Sequence, residues 1–250
     1  MFLEVDKKEI ATDNRIRVQG RANMTLLPDF FLVDIYNLSN EDATVLVMGK
    51  LLYVYGEGKT LICCGEIEGI YEHEEGANDI ITVSVSDGGQ FWESKVAITI
   101  GSGAYVKDTI KTILKGVRFG DFLCNDFRMF RGQTFSGRIA DVIHDMAVSI
   151  NARAFVTGEV LNIIGKDNEE NAIVINDDDV IAVPRQVDDV CILKTYVSGY
   201  SVGNIVNYQG VKYRVIVIAI DADNFEGEWS EEITLIENRA FWGKELGGGY

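Results

Sequence analysis

Phe31-Leu32-Val33-Asp34-Ile35-Tyr36-Asn37-Leu38-Ser39-Asn40 is the stretch on which the reading of the whole chain turns. Phe31, Val33 and Ile35 fall on one face of an extended segment and Asp34 on the other, the period of two that a half-buried strand requires. Tyr36-Asn37-Leu38-Ser39-Asn40 then turns the chain. Beyond it come Val45-Leu46-Val47-Met48, Gly49 and the apolar run Leu51–Tyr55, a turn at Gly56-Glu57-Gly58, and a further strand-like run Leu61–Ile67. Ile81, Val83 and Val85 alternate with Thr82, Ser84 and Ser86 until Asp87-Gly88-Gly89. Short β-rich runs closed by Gly, Asn and Asp at intervals of roughly ten residues predict an antiparallel barrel or sandwich.

On the N-terminal side, residues 1–25 are polar and mixed, with Ile16 and Val18 opening a first strand. On the other side, Gly101-Ser102-Gly103 breaks the β series after Ile100. Val106, Ile110, Ile113 and Leu114 then recur at helical spacing with Lys107, Lys111 and Lys115 opposite, which predicts an amphipathic helix. A second helix is expected from Phe135 to Ala152, striped by Ile139, Val142, Ile143, Met146 and Ile150 and capped by Thr134 or Ser136. Ala154–Val156 and Val160–Ile164 read as a hairpin across Gly158-Glu159. An acidic loop from Asp167 to Glu170, a strand Ala172–Ile175 and the cluster Asp177-Asp178-Asp179 follow.

β character returns at Val187. Val190–Val197, Ile205–Tyr208, Val211–Ile220 and Trp229–Ile236 are separated by Gly199, Gly203, Gly210 and Gly227, a loose echo of the first series. The simplest architecture is mainly β with a small α+β insert: two antiparallel β-barrel domains flanking a helical segment. The boundaries are 1–100 for the first barrel, 101–182 for the helix and hairpin domain, and 183–250 for the second barrel with a C-terminal tail. Strict alternation in Val211–Ile220 puts Val215 and Val217 in the second core and Ile218 on a covered outer surface.

The formal net charge is −16. Phosphate binding needs clustered Lys and Arg, so stable nucleic-acid binding is not expected. Cys63, Cys64, Cys124 and Cys191 have no zinc spacing, and adjacent Cys63 and Cys64 in a strand point to opposite faces, so they read as free thiols. No basic segment followed by an apolar run suggests a signal peptide, and no apolar stretch approaches the ~20 residues of a membrane span. A soluble protein made in the cytosol, without membrane insertion, is the expectation.

No constellation of residues points to catalysis, a cofactor or a metal. Asp177-Asp178-Asp179 reads as a solvated turn, since consecutive carboxylates cannot all face one ion. Asp221, Asp223, Phe225 and Glu232 imitate a calcium loop, but Phe225 stands where an oxygen ligand belongs and Glu226 where glycine is required. His73 lies among Glu72, Glu74 and Glu75 with no second histidine at metal spacing, and reads as an exposed loop residue. His144 reads as a partly buried helical residue. Gly101-Ser102-Gly103-Ala104-Tyr105 lacks the Lys-Ser/Thr end of a phosphate loop and reads as a linker. Glu66 with Glu68 or Asp87 could be posed as a glycosidase pair, though among 39 acidic residues such a pair carries almost no information. Phe91-Trp92 and Phe241-Trp242 could stack on sugars or, more simply, fill a core or an interface.

The ordered series Asp34-Ile35-Tyr36-Asn37-Leu38-Ser39, Gly49–Tyr55, Cys64-Gly65-Glu66-Ile67 and Ile81–Gly88 resembles the first barrel of phage tail baseplate hub proteins, a group that includes the late-control-protein type of hub and relatives in phage-tail-like bacteriocins. Gly210–Val215, Asp221, Asp223, Gly227, Trp229 and Ile233-Thr234-Leu235 are similar to the last hairpin of that family's second barrel. The helix at Lys107–Leu114 and the helix-hairpin Ile139–Ile164 fall where the family has its inter-barrel domain. The resemblance runs from Phe31 to Glu237. It implies tube-like barrels, no enzymatic activity, and a homotrimer whose six barrels adapt a sixfold tail tube to a threefold central spike. It further implies tail tube, spike and tape measure proteins as partners, and a place in the virion baseplate of a tail, contractile or non-contractile, after synthesis in the bacterial cytoplasm. An acidic or neutral lumen would let DNA pass during ejection, because like charge repels phosphate. The alternative is an acidic β-rich tail-tip protein that binds carbohydrate or degrades polysaccharide.

Overall fold

The computed structural model describes residues 1–87, 89–114, 118–129, 131–158, 160–166, 171–225 and 229–242. Lys115, Glu159, Asp167–Glu170 and Gly227, expected on a helix face, a turn, an acidic loop and a strand break, lie outside the described residues. Two compact units divide the chain. One is Met1–Met24, Asp29–Ser86 and Glu170–Tyr250; the other is Thr25–Pro28 and Asp87–Glu169.

The chain begins in the first unit with β1 (Phe2–Val5), β2 (Lys8–Ile10), β3 (Ile16–Asn23), β4 (Asp29–Tyr36), α1 (Asn40–Ala43), β5 (Leu51–Tyr55), β6 (Leu61–Glu75) and β7 (Asn78–Asp87). The second unit carries α2 (Gly89–Glu93), β8 (Lys95–Ile100), α3 (Val106–Ile113), β9 (Arg118–Leu123), β10 (Gln133–Arg138), α4 (Ile139–Ser149), β11 (Ala152–Thr157) and β12 (Val160–Gly165). The chain returns to the first unit with β13 (Ile173–Ile175), β14 (Arg185–Val187), β15 (Val190–Tyr196), β16 (Ile205–Tyr208), β17 (Val211–Asp223), β18 (Trp229–Glu237) and α5 (Asn238–Phe241). The protein is mainly β with an α+β insert, as its alternating patterns require.

The decisive turn forms as read. Phe31, Val33 and Ile35 are buried along β4, Asn37 turns the chain at a φ of 54°, and the Ser39 hydroxyl caps α1 by accepting from the Asp42 N–H. Val45–Met48, read as a β-rich run, is instead turn and coil, with Val47 and Met48 exposed.

The first unit is built on one thirteen-stranded sheet in the order β14-β15-β18-β17-β3-β4-β7-β6-β5-β1-β2, with β16 on β17 and β13 on β16. The two β segments are therefore joined edge to edge. The joint is β17 against β3, paired from Val217↔Asn23 to Asp223↔Arg17. Length makes this possible: β17 has 13 residues, of which Val211–Arg214 pair with β16 and Val217–Asp223 with β3. The two compact units divide at 86/87 and 169/170, with β8 paired to β10 inside the insert and β13 in the large sheet.

One strand is read in the wrong register by simple alternation. β17 pairs Val215 with Leu235 but Val217 with Thr234, leaving Ile216 as a bulge whose carbonyl accepts from the Met24 N–H at 2.9 Å. A bulge adds one residue and reverses the facing beyond it. Ile218, Ile220 and Ala222 thus share the core face with Val215, and Val217 turns to the other side, opposite Thr234 and Asn23. The core beneath includes Ile16, Val18, Val33, Ile35, Ile233 and Leu235, all fully buried. Gly20 faces it too: a Cβ there would collide with the Phe31 ring and the Phe30 carbonyl.

In the second unit, α3 and α4 pack Val106, Ile110, Ile113, Val142, Ile143 and Met146 into one core with Trp92, Leu161 and Ile163. α4 starts at Ile139, four residues later than its expected start at Phe135, because Gln133–Arg138 pair with β8. The expected caps Thr134 and Ser136 are strand residues, and Arg138 holds the cap position. The β11–β12 hairpin turns at Gly158 with a φ of 60°. The acidic excess is confined to one unit: the first holds 13 basic and 29 acidic residues, the second 10 of each.

Candidate interaction surface

Directly paired residues of antiparallel strands point to the same side of a sheet, so the pairings name the residues that share each row. Away from the first unit's core, one row crosses five strands as Phe30, Arg21, Ala219, Glu232 and Lys194. The next row is Leu32, Gln19, Asp221, Ser230 and Tyr196. At about 4.8 Å per strand these rows are about 19 Å wide. Phe30 is 55% exposed and Leu32 48%, both on the central strand β4, and Tyr196, at the sheet's edge on β15, is 57% exposed.

The charges on this face are partly matched. Asp221 accepts from the Arg17 guanidinium and the Gln19 amide at 3.3 Å, and Glu232 pairs with Arg185. Among the described residues Arg21 and Lys194 make no ion pair. At the end of the β3–β17 joint, Arg15 pairs with Asp223 at 2.7 Å, 4.5 Å from the Tyr36 ring centre and 5.7 Å from that of Phe225. Asn224 accepts from the Ile16 N–H and donates to the Asn14 carbonyl, while Asn14 donates to the carbonyls of Tyr36 and Asn37. These contacts fasten the two β segments together. Sequence alone could not bring them together, since the joined residues lie about two hundred positions apart.

The other side of the sheet hides charge. Glu231 is buried opposite Ile220, and its carboxylate accepts from the Ser198 N–H at 3.2 Å and hydroxyl at 3.0 Å. Burial pushes its pKa up to about 7 against the downward pull of those bonds. Asp29, held by the Asn23 backbone and side chain, is pushed up to about 6 by the same cause. On the open side, Arg214 shares a face with Glu232 through its pairing with Ile236 but is fully buried, donating to the Gly203 carbonyl at 2.7 Å beneath the Phe241 ring of α5.

The residues weighed from sequence are scattered. Asp177-Asp178-Asp179 form a single 3₁₀ turn closed by Asn176, with Asp177 accepting from Gln209. Asp221, Asp223 and Glu232 lie on paired strands, each engaged by an arginine. His73 is exposed but sits in β6 opposite Ile80, not in a loop. His144 is exposed on α4, where partial burial was expected, because it falls beside the apolar stripe. Gly101–Tyr105 is a pinned turn, not a plain linker: the Gly103 N–H donates to Met129 and the Met129 N–H to Ala104. Glu66 and Glu68 are exposed while Asp87 is buried. Trp92 and Phe241 are almost fully buried, each edge to face with its neighbour, so both aromatic pairs serve cores. None of the four cysteines is in a disulfide, and both Cys63 and Cys64 are buried. Among the described residues no group of three or more His, Cys, Asp and Glu is placed to hold a metal, and no helix is long and apolar enough to cross a membrane.

By sequence the chain matches no family profile and no curated protein. By structure it is similar to a 43 kDa tail protein of prophage MuSo2 from Shewanella oneidensis, at a TM-score of 0.69 and 9% identity, over 96% of this chain and 98% of that one. A tail protein from Neisseria meningitidis MC58 aligns at 0.66 and 11% identity, over 94% and 95%. A component of the type VI secretion system of E. coli, described as structurally similar to the T4 bacteriophage tail proteins gp27 and gp5, aligns at 0.66 and 10% identity, over 94% and 76%. The fold is that of phage tail and type VI secretion proteins.

Proposed function

We propose that this chain is a structural tail component, a baseplate hub that forms a homotrimeric ring between a sixfold tail tube and a threefold central spike and lines the channel through which DNA leaves. The observation that carries the reading is the end-to-end match of fold with two tail proteins, each aligned over nearly its whole length. The sheet supports it: two successive β segments, fused by the β3–β17 pairing, give each subunit two tube-like halves in a fixed relation. Three such subunits present six halves to a sixfold tube.

In this reading the tube, spike and tape measure proteins are the neighbours, and the site of action is the virion tail after synthesis in the host cytoplasm. No enzymatic step is assigned. The carbohydrate-directed alternative draws no support from Trp92 or Phe241, since buried rings cannot stack on a sugar. Cryo-electron microscopy of the tail particle tests the proposal. Three copies in a ring at the junction of tube and spike are expected; six copies in the tube wall, or absence from the particle, would overturn it.

A further inference from the structure

We infer that the exposed rows of the large sheet are occupied by a second copy of this chain, which contributes the acidic tip of its β6–β7 hairpin. The inference rests on the ring reading above and names the contact that would close it.

The tip carries an uncompensated charge. β6 and β7 stay paired to their last residues, so Glu74 stands directly across from Asp79, and Glu72 lies two residues back on the same side of the hairpin. Like charges directly opposite destabilise a strand pair. Among the described residues none of these three carboxylates has an ion pair, and all three residues are exposed. The Asp79 backbone is fixed through Asn37, which leaves its carboxylate free to face outward.

The complementary cations exist on the same chain but out of the tip's reach. In a unit with 13 basic and 29 acidic residues, most exposed cations already hold carboxylates, as Lys8, Arg17, Lys50, Lys59 and Arg185 do. Arg21 and Lys194 do not, and both lie in the open Phe30 row, Arg21 beside Phe30 and Lys194 at the far end. The tip lies beside Asn37, at the opposite end of β4 from Phe30, about 23 Å away at 3.3 Å per residue. One molecule cannot satisfy both surfaces; a neighbour can. Because the two surfaces differ, the contact is head-to-tail, the kind that closes into a ring when its rotation permits.

The test is sedimentation velocity of the full chain over a wide range of concentration, at low and high salt. Wild type should self-associate, more weakly at high salt. Arg21→Glu with Lys194→Glu, and separately Glu72→Lys with Glu74→Lys and Asp79→Lys, should each weaken association at least tenfold. All five changes in one chain should restore it. Circular dichroism confirms that these surface variants fold. If wild type assembles and neither set matters, the ring stands and this contact falls. If wild type stays monomeric at hundreds of micromolar in low salt, the contact falls as well, and copy number in the particle judges the ring separately.

Discussion

Glu231 is a residue whose ionisation the fold resists. The free side chain titrates at 4.5, whereas in the sheet burial holds the proton until about pH 7, even with two donors from Ser198. The folded chain therefore keeps a proton that the unfolded chain releases, and stability from this site is complete below pH 4.5 and lost as the pH rises through 7. Glu231→Gln keeps an acceptor for Ser198 and removes the ionisation. Urea unfolding should find the variant more stable than wild type by about 2 kcal/mol at pH 8, with the two equal near pH 4.5. Wild type proving the more stable at pH 8 would mean that the carboxylate is stabilised in place, against this account. Nothing in the sequence marks Glu231 apart from Glu232 beside it. The two differ because Glu231 pairs with Ile220 on the core side and Glu232 with Ala219 on the open side, a register visible only once β17 and β18 are paired.

At the scale of elements, the bulge at Ile216 decides what β17 buries. Ile218 packs beside Ile233 on the core face, so Ile218→Asp buries an unpaired carboxylate at a cost of several kcal/mol and should leave the chain unfolded. Val217 lies between Thr234 and Asn23, so Val217→Thr should fold, with a loss of about 1 kcal/mol. Circular dichroism and thermal melts separate the two. A folded Ile218→Asp chain would show that β17 keeps strict alternation. Strands whose alternation is unbroken, such as β4, are legible from sequence, as is α3 from its lysine and isoleucine faces. A bulge is not, because it leaves composition unchanged while shifting register by one. The β1–β2 hairpin is hidden for a related reason. Asp6 and Lys7 both adopt positive φ, 50° and 68°, without the Asn-Gly or Asp-Gly pair that marks such a turn. Gln133–Arg138 escapes because its strand runs directly into α4, so a reading of the helical stripe extends too far toward the N-terminus. Of the interaction surface, sequence shows only that Phe30 and Leu32 oppose the core side of β4; their row mates come from strands far along the chain.

At the scale of the whole molecule, the charge and the topology each carry a prediction. All of the net −16 resides in the unit built on the large sheet, so duplex DNA should show no gel shift at moderate salt. Micromolar, salt-sensitive binding would point to a role for the balanced second unit. The topology bears on which segments fold alone. If residues 183–250 were an independent barrel, they would melt cooperatively when produced separately. In the sheet, however, that segment lacks what completes it. The half of β17 from Val217 to Asp223 pairs with β3, Asp223 needs Arg15, and β16 needs β13. An exposed, largely apolar edge and an unpartnered, mostly buried carboxylate are both costly. Residues 183–250 alone should therefore give no cooperative transition and should aggregate. Co-produced with residues 1–182 they should co-purify as a complex held through β3, and Arg15→Ala in the larger fragment should weaken its recovery. A cooperative melt from 183–250 alone would mean that the β3–β17 joint only docks two finished halves. Failure alone with rescue by 1–182 would mean that neither half is complete without the other, which is what a rigid two-part ring element needs.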